Sequence, residues 1–293
     1  MNLVPSNKFV ISHRLHNRSH TSKLRTSIPQ TCHATLPIET VKEFLTAATT
    51  PHPGLLYGTA ANTIVFTFGF PILRKGLTVP GVANAWLLGA SVWSAFGAGG
   101  YLLLCLYFIL GTLVTKVKLK QKQAEGIAEA RSGLRGPGSV WGSGSAAAAC
   151  ALLSIMSDDP SLWQVGFVAS ICSKLSDTFS SEIGKAYGKT TYLVTTFELV
   201  PRGTEGAVSL EGTLAGIVAA FLFAAVAIAL GQVTVGESLV VGFAAVAANT
   251  FESYLGASVQ GRLSWLTNDL VNVLQITLAA IIAICLSKFC LVS

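Results

Sequence analysis

Charge is scarce in this chain. Only 12% of its 293 residues are Asp, Glu, Lys or Arg, where soluble domains carry about 25%. With 51% of residues hydrophobic and a mean hydropathy of +0.59, a soluble globular chain is excluded. Acidic residues are missing from the first 38 positions, where Lys8, Arg14, Arg18, Lys23 and Arg25 stand unopposed, and Glu39 is the first acid. After those five, 15 basic residues (20 − 5) face 14 acidic ones, so the net charge of +6 belongs to the N-terminus. It does not describe a nucleic-acid-binding surface. Four of the five histidines also lie in that segment, leaving His52, which argues against histidine catalysis. The six cysteines form no CxxC pair and no Cys/His cluster, so neither a disulfide framework nor a zinc site is indicated.

What is present begins with a leader. Residues 1–38 are basic and acid-free, hold nine Ser/Thr and lack an apolar core, which is how an organelle transit peptide reads. The Ser/Thr content and sparse arginine favour chloroplast. Residues 39–54 follow as a short linker.

The remainder, 55–292, reads as an all-α polytopic transmembrane helical bundle. A spanning helix needs about 20 apolar residues. Candidate spans are 55–73, 79–114, 145–157, 162–176, 212–231, 239–255 and 270–291. The second is too long for one crossing, and Gly97-Ala98-Gly99-Gly100 divides it, giving about eight spans, with seven as the alternative count. Placing Arg74-Lys75 inside by the positive-inside rule and alternating puts the basic loops with Lys116–Lys122, Lys185–Arg202 and Arg262 on that same face. The polar loops 116–144, 177–211 and 256–269 then share one aqueous side.

Three constellations lie there. In the first, Asp177 and Ser181 stand at i, i+4 if the preceding helix continues, with Ser180 beside them. Oxygen ligands of this kind suit Mg²⁺, which takes one or two carboxylates plus substrate phosphates. Lys185, Lys189 and Arg202 offer cations to those phosphates, and Gly203 and Gly206 permit close backbone approach. In the second, Asn249, Glu252 and Ser253 give an apolar helix one polar face, and Asn268, Asp269 and Asn272 open the next helix. An intramembrane acid marks a site by default, whereas Asp269 also suits a simple capping role. Asp177 and Glu252 are expected to meet through helix packing and to hold the metal with Asp269. The third is the glycine-rich run 126–142 with Arg131 and Arg135, suited to polyphosphate through fork donors and backbone N–H groups. It is not a P-loop. Gly212-xxx-Gly216 reads as helix packing.

The runs Asp177-Thr-Phe-Ser-Ser-Glu182-Ile-Gly, Val200-Pro-Arg202-Gly203-Thr204-Glu205-Gly206-Ala-Val-Ser-Leu-Glu-Gly-Thr, Glu252-Ser-Tyr-Leu-Gly-Ala and Asn268-Asp269-Leu-Val-Asn272 resemble an integral-membrane family. It is the one containing the plant and cyanobacterial phytyl-phosphate kinase, and the likeness extends over residues 55–290. The resemblance implies a multi-pass chloroplast-envelope enzyme with its active face toward the stroma. Its reaction would move a phosphoryl group from CTP to phytyl monophosphate, giving phytyl diphosphate for tocopherol and phylloquinone synthesis and phytol salvage. On that reading Asp177, Glu182 and Glu252 are catalytic, Arg131, Arg135, Lys185, Arg202, Gly203, Thr204, Glu205 and Gly206 bind phosphates, and Mg²⁺ is the cofactor. The partners are the nucleotide, phytyl phosphate and the lipid bilayer, with no nucleic acid. Residue chemistry alone leaves two rivals standing. One is a kinase of the free alcohol phytol, with Asp177 or Glu252 as base; the more remote is a membrane transporter.

Overall fold

The computed structural model describes residues 38–129, 134–259, 263 and 265–290. Residues 1–37 of the expected transit peptide, and Arg131, lie outside the described residues. The elements run α1 (Ile38–Ala48), α2 (Gly54–Leu73), α3 (Val79–Thr115), α4 (Leu119–Ala124), α5 (Pro137–Met156) and α6 (Pro160–Tyr187). After a short ribbon of β1 (Thr191–Leu193) and β2 (Ala207–Ser209) come α7 (Leu210–Ala229), α8 (Val235–Ser258) and α9 (Asn268–Cys290). The protein is a polytopic helical bundle. Helix α1 starts at Ile38 and takes up most of residues 39–54, read as a linker.

Six of these helices are long and apolar enough to cross a membrane: α2, α3, α5, α7, α8 and α9. The difference from eight has two physical causes. Helix α3 is 37 residues long, but Gly97 takes φ 63°, ψ −164°, outside helical space. Its two halves fold back on each other, since both reach Arg135. The Arg135 carbonyl accepts from Thr78 N at 3.0 Å at one end, and its guanidinium donates to Tyr107 Oη at 2.9 Å near the other. One helix by hydrogen bonding is thus two legs by direction. Helix α6 falls short of the apolar criterion because its second half carries Lys174, Asp177, Glu182 and several Ser and Thr. It is nevertheless the core of the bundle, with Val165, Phe167, Val168, Ile171, Cys172 and Leu175 at most 2% exposed.

Both central helices outrun their apolar segments. The Gly/Ser-rich residues 137–144 and the polar residues 177–187 remain helical with one side packed on neighbouring helices, and α6 packs on α3, α5, α7, α8 and α9. At 1.5 Å per residue its 28 residues span about 42 Å, more than the roughly 30 Å of hydrocarbon. The last turns therefore stand at the basic, aqueous end. Among the described residues that end gathers the Arg74 turn, α4 with residues 125–129 and 134–136, the ribbon, and the start of α9.

At the opposite end three polar side chains tie the helices together. Gln164 Nε2 donates to Gln232 Oε1 at 3.1 Å, Gln232 Nε2 donates to the Phe96 carbonyl at 3.4 Å, and His52 Nδ1 lies 2.6 Å from the Ala95 carbonyl.

Candidate active site

At the basic end the last turns of α6, the starts of α7 and α9, the end of α8, residues 126–129 and 134–135, and the ribbon enclose a cavity of about 680 Å³. Small residues bring these walls together. A Cβ on Gly212 would approach the Ser180 carbonyl and Gly184 Cα, and one on Gly216 would overlap Ser180 Oγ. This is close α6–α7 packing, as expected for Gly212-xxx-Gly216. Gly206, at φ 71°, seats the ribbon loop directly against the Ala257 backbone, where any Cβ would collide.

Asp177 lines the cavity and is ion-paired to Lys174, one turn earlier on α6. Lys174 Nζ also donates to Asn272 Oδ1 of α9 at 2.7 Å, so it is fixed between two helices. Glu252 projects from α8 into the field of this pair. Its charged neighbours are Asp177 and Glu205, which repel it, and Lys174 and Lys185, which attract it. Asn249, one turn deeper, donates to Ser180 Oγ at 3.0 Å and holds α8 to α6. Helix α6 packs on α8, and Asp177 and Glu252 line the same cavity within electrostatic reach of each other.

The cations are individually braced. Arg135 lies over the Tyr107 ring at 5.2 Å as well as bonding its hydroxyl. Arg202 Nη2 donates to both Glu125 carboxylate oxygens at 2.9 Å, at a rim where each side chain is about a third exposed. Lys185 lines the wall, as do Gly203, Thr204, Glu205 and Gly206.

Two expected residues sit differently. Glu182 does not line the cavity. It is 1% exposed and ion-paired to the equally buried Lys122, with Lys185 Nζ 3.8 Å from its other oxygen. Its neighbours make it an anchor for α4 and for Lys185, not a group that reaches substrate. Asp269 lines the cavity, but its carboxylate rests against Gly138 in the first turn of α5, where a Cβ would strike it. It stands at two helix N-termini, the position that favours an anion.

A metal set of three acids is not assembled: among the described residues no group of three His, Cys, Asp or Glu lies at ligating spacing. Asp177 and Glu252 still fit Mg²⁺ of the substrate-bridging kind, which needs one or two carboxylates, because two like charges facing each other are relieved by a cation between them. Lys174 is the group that spacing did not single out. Its signal was a lysine inside an otherwise apolar run, three residues before an acid. Tyr107 and Lys122 carried no such signal.

The fold and this cavity define an integral membrane protein whose charged site opens at one face of the bilayer. Residues 62–280 match the integral membrane protein family DUF92, and the chain belongs to that family. A protein of Arabidopsis thaliana, "Protein VTE6, chloroplastic", is 52% identical over 238 residues, 79% of this chain and 72% of that one. An uncharacterized membrane protein of a Synechocystis strain is 49% identical over 72% of this chain and 83% of its own length. Another from Methanocaldococcus jannaschii is 34% identical over 70% and 83%. No solved structure matches.

Proposed function

We propose that this chain is a kinase of the chloroplast envelope that transfers the terminal phosphoryl group of CTP to phytyl monophosphate, with its active face toward the stroma. The chloroplastic relative and the apolar helices support a chloroplast membrane protein. The observation that carries the chemistry is the cavity itself, in which braced Lys174, Lys185 and Arg135 surround the facing acids Asp177 and Glu252. No histidine lines it.

The reaction needs charge neutralisation more than acid–base help. A phosphate monoester has a second pKa of about 6, so the acceptor is already a dianion at neutral pH. Its oxygen forms the new bond to the γ-phosphorus while the bond from that phosphorus to the β–γ bridging oxygen breaks. Nucleoside diphosphate leaves with the electron pair. Bound Mg²⁺ would supply neutralisation of the donor phosphates, with Asp177 and Glu252 as its protein oxygens. Lys174 fixes the Asp177 carboxylate, Arg135 and Lys185 attract the phosphates, and Arg202 does so from the rim. The glycine turns at 203 and 206 let backbone N–H groups of that loop approach the anions.

The test is an assay of purified protein with phytol and phytyl phosphate in parallel. Diphosphate from phytyl phosphate is the expected result, with a rate that falls below about pH 6 as the acceptor protonates. Phosphorylation of phytol with phytyl phosphate left untouched would make this a free-alcohol kinase, with Asp177 or Glu252 as base.

A further inference from the structure

Facing stripes on α7 and α8 change character with depth. Helix α8 presents Glu252, Asn249, Val246 and Phe243 in a row that winds around the helix with depth, and α7 presents Thr213, Ile217 and Phe221 at four-residue spacing along one face. Glu252, Asn249 and Thr213 line the polar cavity. Beyond them Ile217, Phe221, Phe243, Val246 and Ala247 line a second cavity of about 270 Å³, without a polar side chain. Ile217 and Val246 belong to both linings, so the two spaces adjoin across these side chains.

Depth orders them. At 1.5 Å per residue from the aqueous end of α8, Glu252 is about 9 Å in and Phe243 about 22 Å in. Phe221 is about 16 Å from the aqueous end of α7 by the same rise. The apolar space therefore lies toward the bilayer interior. Its floor is tight, since a Cβ on Gly242 would come within 2.6 Å of the Phe221 ring. Its outer edge is open, since Phe243 is 72% exposed where lipid surrounds the bundle.

We infer that this α7–α8 groove holds the isoprenoid chain of the phosphorylated acceptor, with Ile217 and Val246 at the junction of chain and phosphate. The inference rests on the kinase reading for its head-group chemistry. A cationic cavity that adjoins an apolar groove matches a ligand with one anionic end and one long apolar end. A nucleotide has nothing to place in the apolar part. The chain enters sideways from the bilayer, between Phe221 and Phe243, while the nucleotide arrives from the aqueous loops.

Two measurements test this in nanodiscs. Ala247→Trp fills the groove from an exposed position. It should raise KM for the C20 phytyl phosphate at least tenfold and change turnover of the C5 dimethylallyl phosphate less than twofold. Equal losses on both acceptors, or no change on either, overturn the groove. The second uses the wild-type protein and needs no turnover. A phytyl phosphate bearing a diazirine in its chain should label Phe221 and Phe243, and unlabelled phytyl phosphate should compete. Label on other lipid-facing surfaces, or label displaced equally by phosphatidylglycerol, overturns the assignment, the latter indicating a structural phospholipid. Competed label in a protein that cannot phosphorylate phytyl phosphate keeps the groove and removes the kinase reading.

Discussion

Two lysine–carboxylate pairs meet on α6 little more than one turn apart, and they differ in what surrounds them. Lys174–Asp177 opens on the cavity, with side chains 10% and 13% exposed, and faces Glu252 across it. Lys122–Glu182 is sealed, each side chain 1% exposed, with Lys122 also donating to the Thr115 carbonyl at 2.9 Å. The same ion-pair chemistry thus stands once at a solvent-accessible wall and once in the packing beneath it. A buried pair rarely adds net stability, but breaking one leaves an uncompensated charge. An acid at the wall can instead be engaged by substrate or metal. Accessibility therefore separates chemistry from scaffolding here, and residue type does not.

The largest effect should fall on the open pair. Asp177→Asn lowers turnover by about 10²–10³, the scale of losing one electrostatic group at a reacting centre, with a smaller fall in thermal stability than Lys122→Met gives, since Lys174 keeps its bond to Asn272. Glu252→Gln behaves alike. Near-normal rates at saturating Mg²⁺ in both variants would return these acids to a structural role.

The sealed pair should respond in the other observable. Lys122→Met strands Glu182 and costs about 3–5 kcal/mol, seen as a lowered melting temperature. Adding Glu182→Leu should recover most of that stability. If Glu182→Leu in that background also abolishes turnover of the folded fraction, the distinction between the two pairs fails.

The rim gives a smaller effect. Arg202 and Glu125 are about a third exposed, and such pairs contribute roughly 1 kcal/mol or less. Arg202→Ala should therefore raise KM for the nucleotide about fivefold and leave kcat nearly unchanged, with the difference shrinking in high salt. Glu125→Ala, which frees Arg202, should not weaken nucleotide binding.

Single cysteines at Lys120, Thr195 and Leu263 change no rate, but they test whether all of this shares one face. An impermeant thiol reagent should reach all three from the same side. Labelling of one from the opposite side would separate the loops that build the cavity.

Much of this was legible in the chain. Long apolar runs betrayed the spans, and Gly97 betrayed the reversal inside α3 because a glycine cluster interrupted a run too long for one crossing. Asp177 and Glu252 stood out because acids at the edge of apolar helices are costly. What was not legible follows from packing. The ends of α5 and α6 were hidden because their polar turns pack on one side against neighbouring helices, which hydropathy does not register. The ribbon β1–β2 is not legible because three residues per strand give too short an alternation. Glu182 looked equivalent to Asp177, since both sit in one short motif. Only the placement of Lys122, 60 residues away in sequence, shows that Glu182 faces protein while Asp177 faces the cavity.

The most direct test of the central claim follows the γ-phosphate. Purified wild-type protein is given CTP labelled at that position together with phytyl phosphate and Mg²⁺, beside Asp177→Asn and Glu125→Ala. The account predicts label in the terminal phosphate of phytyl diphosphate for wild type and Glu125→Ala, and at most about a hundredth of that for Asp177→Asn. Label that never reaches phytyl phosphate in the wild type, or that reaches it equally well in Asp177→Asn, would contradict it.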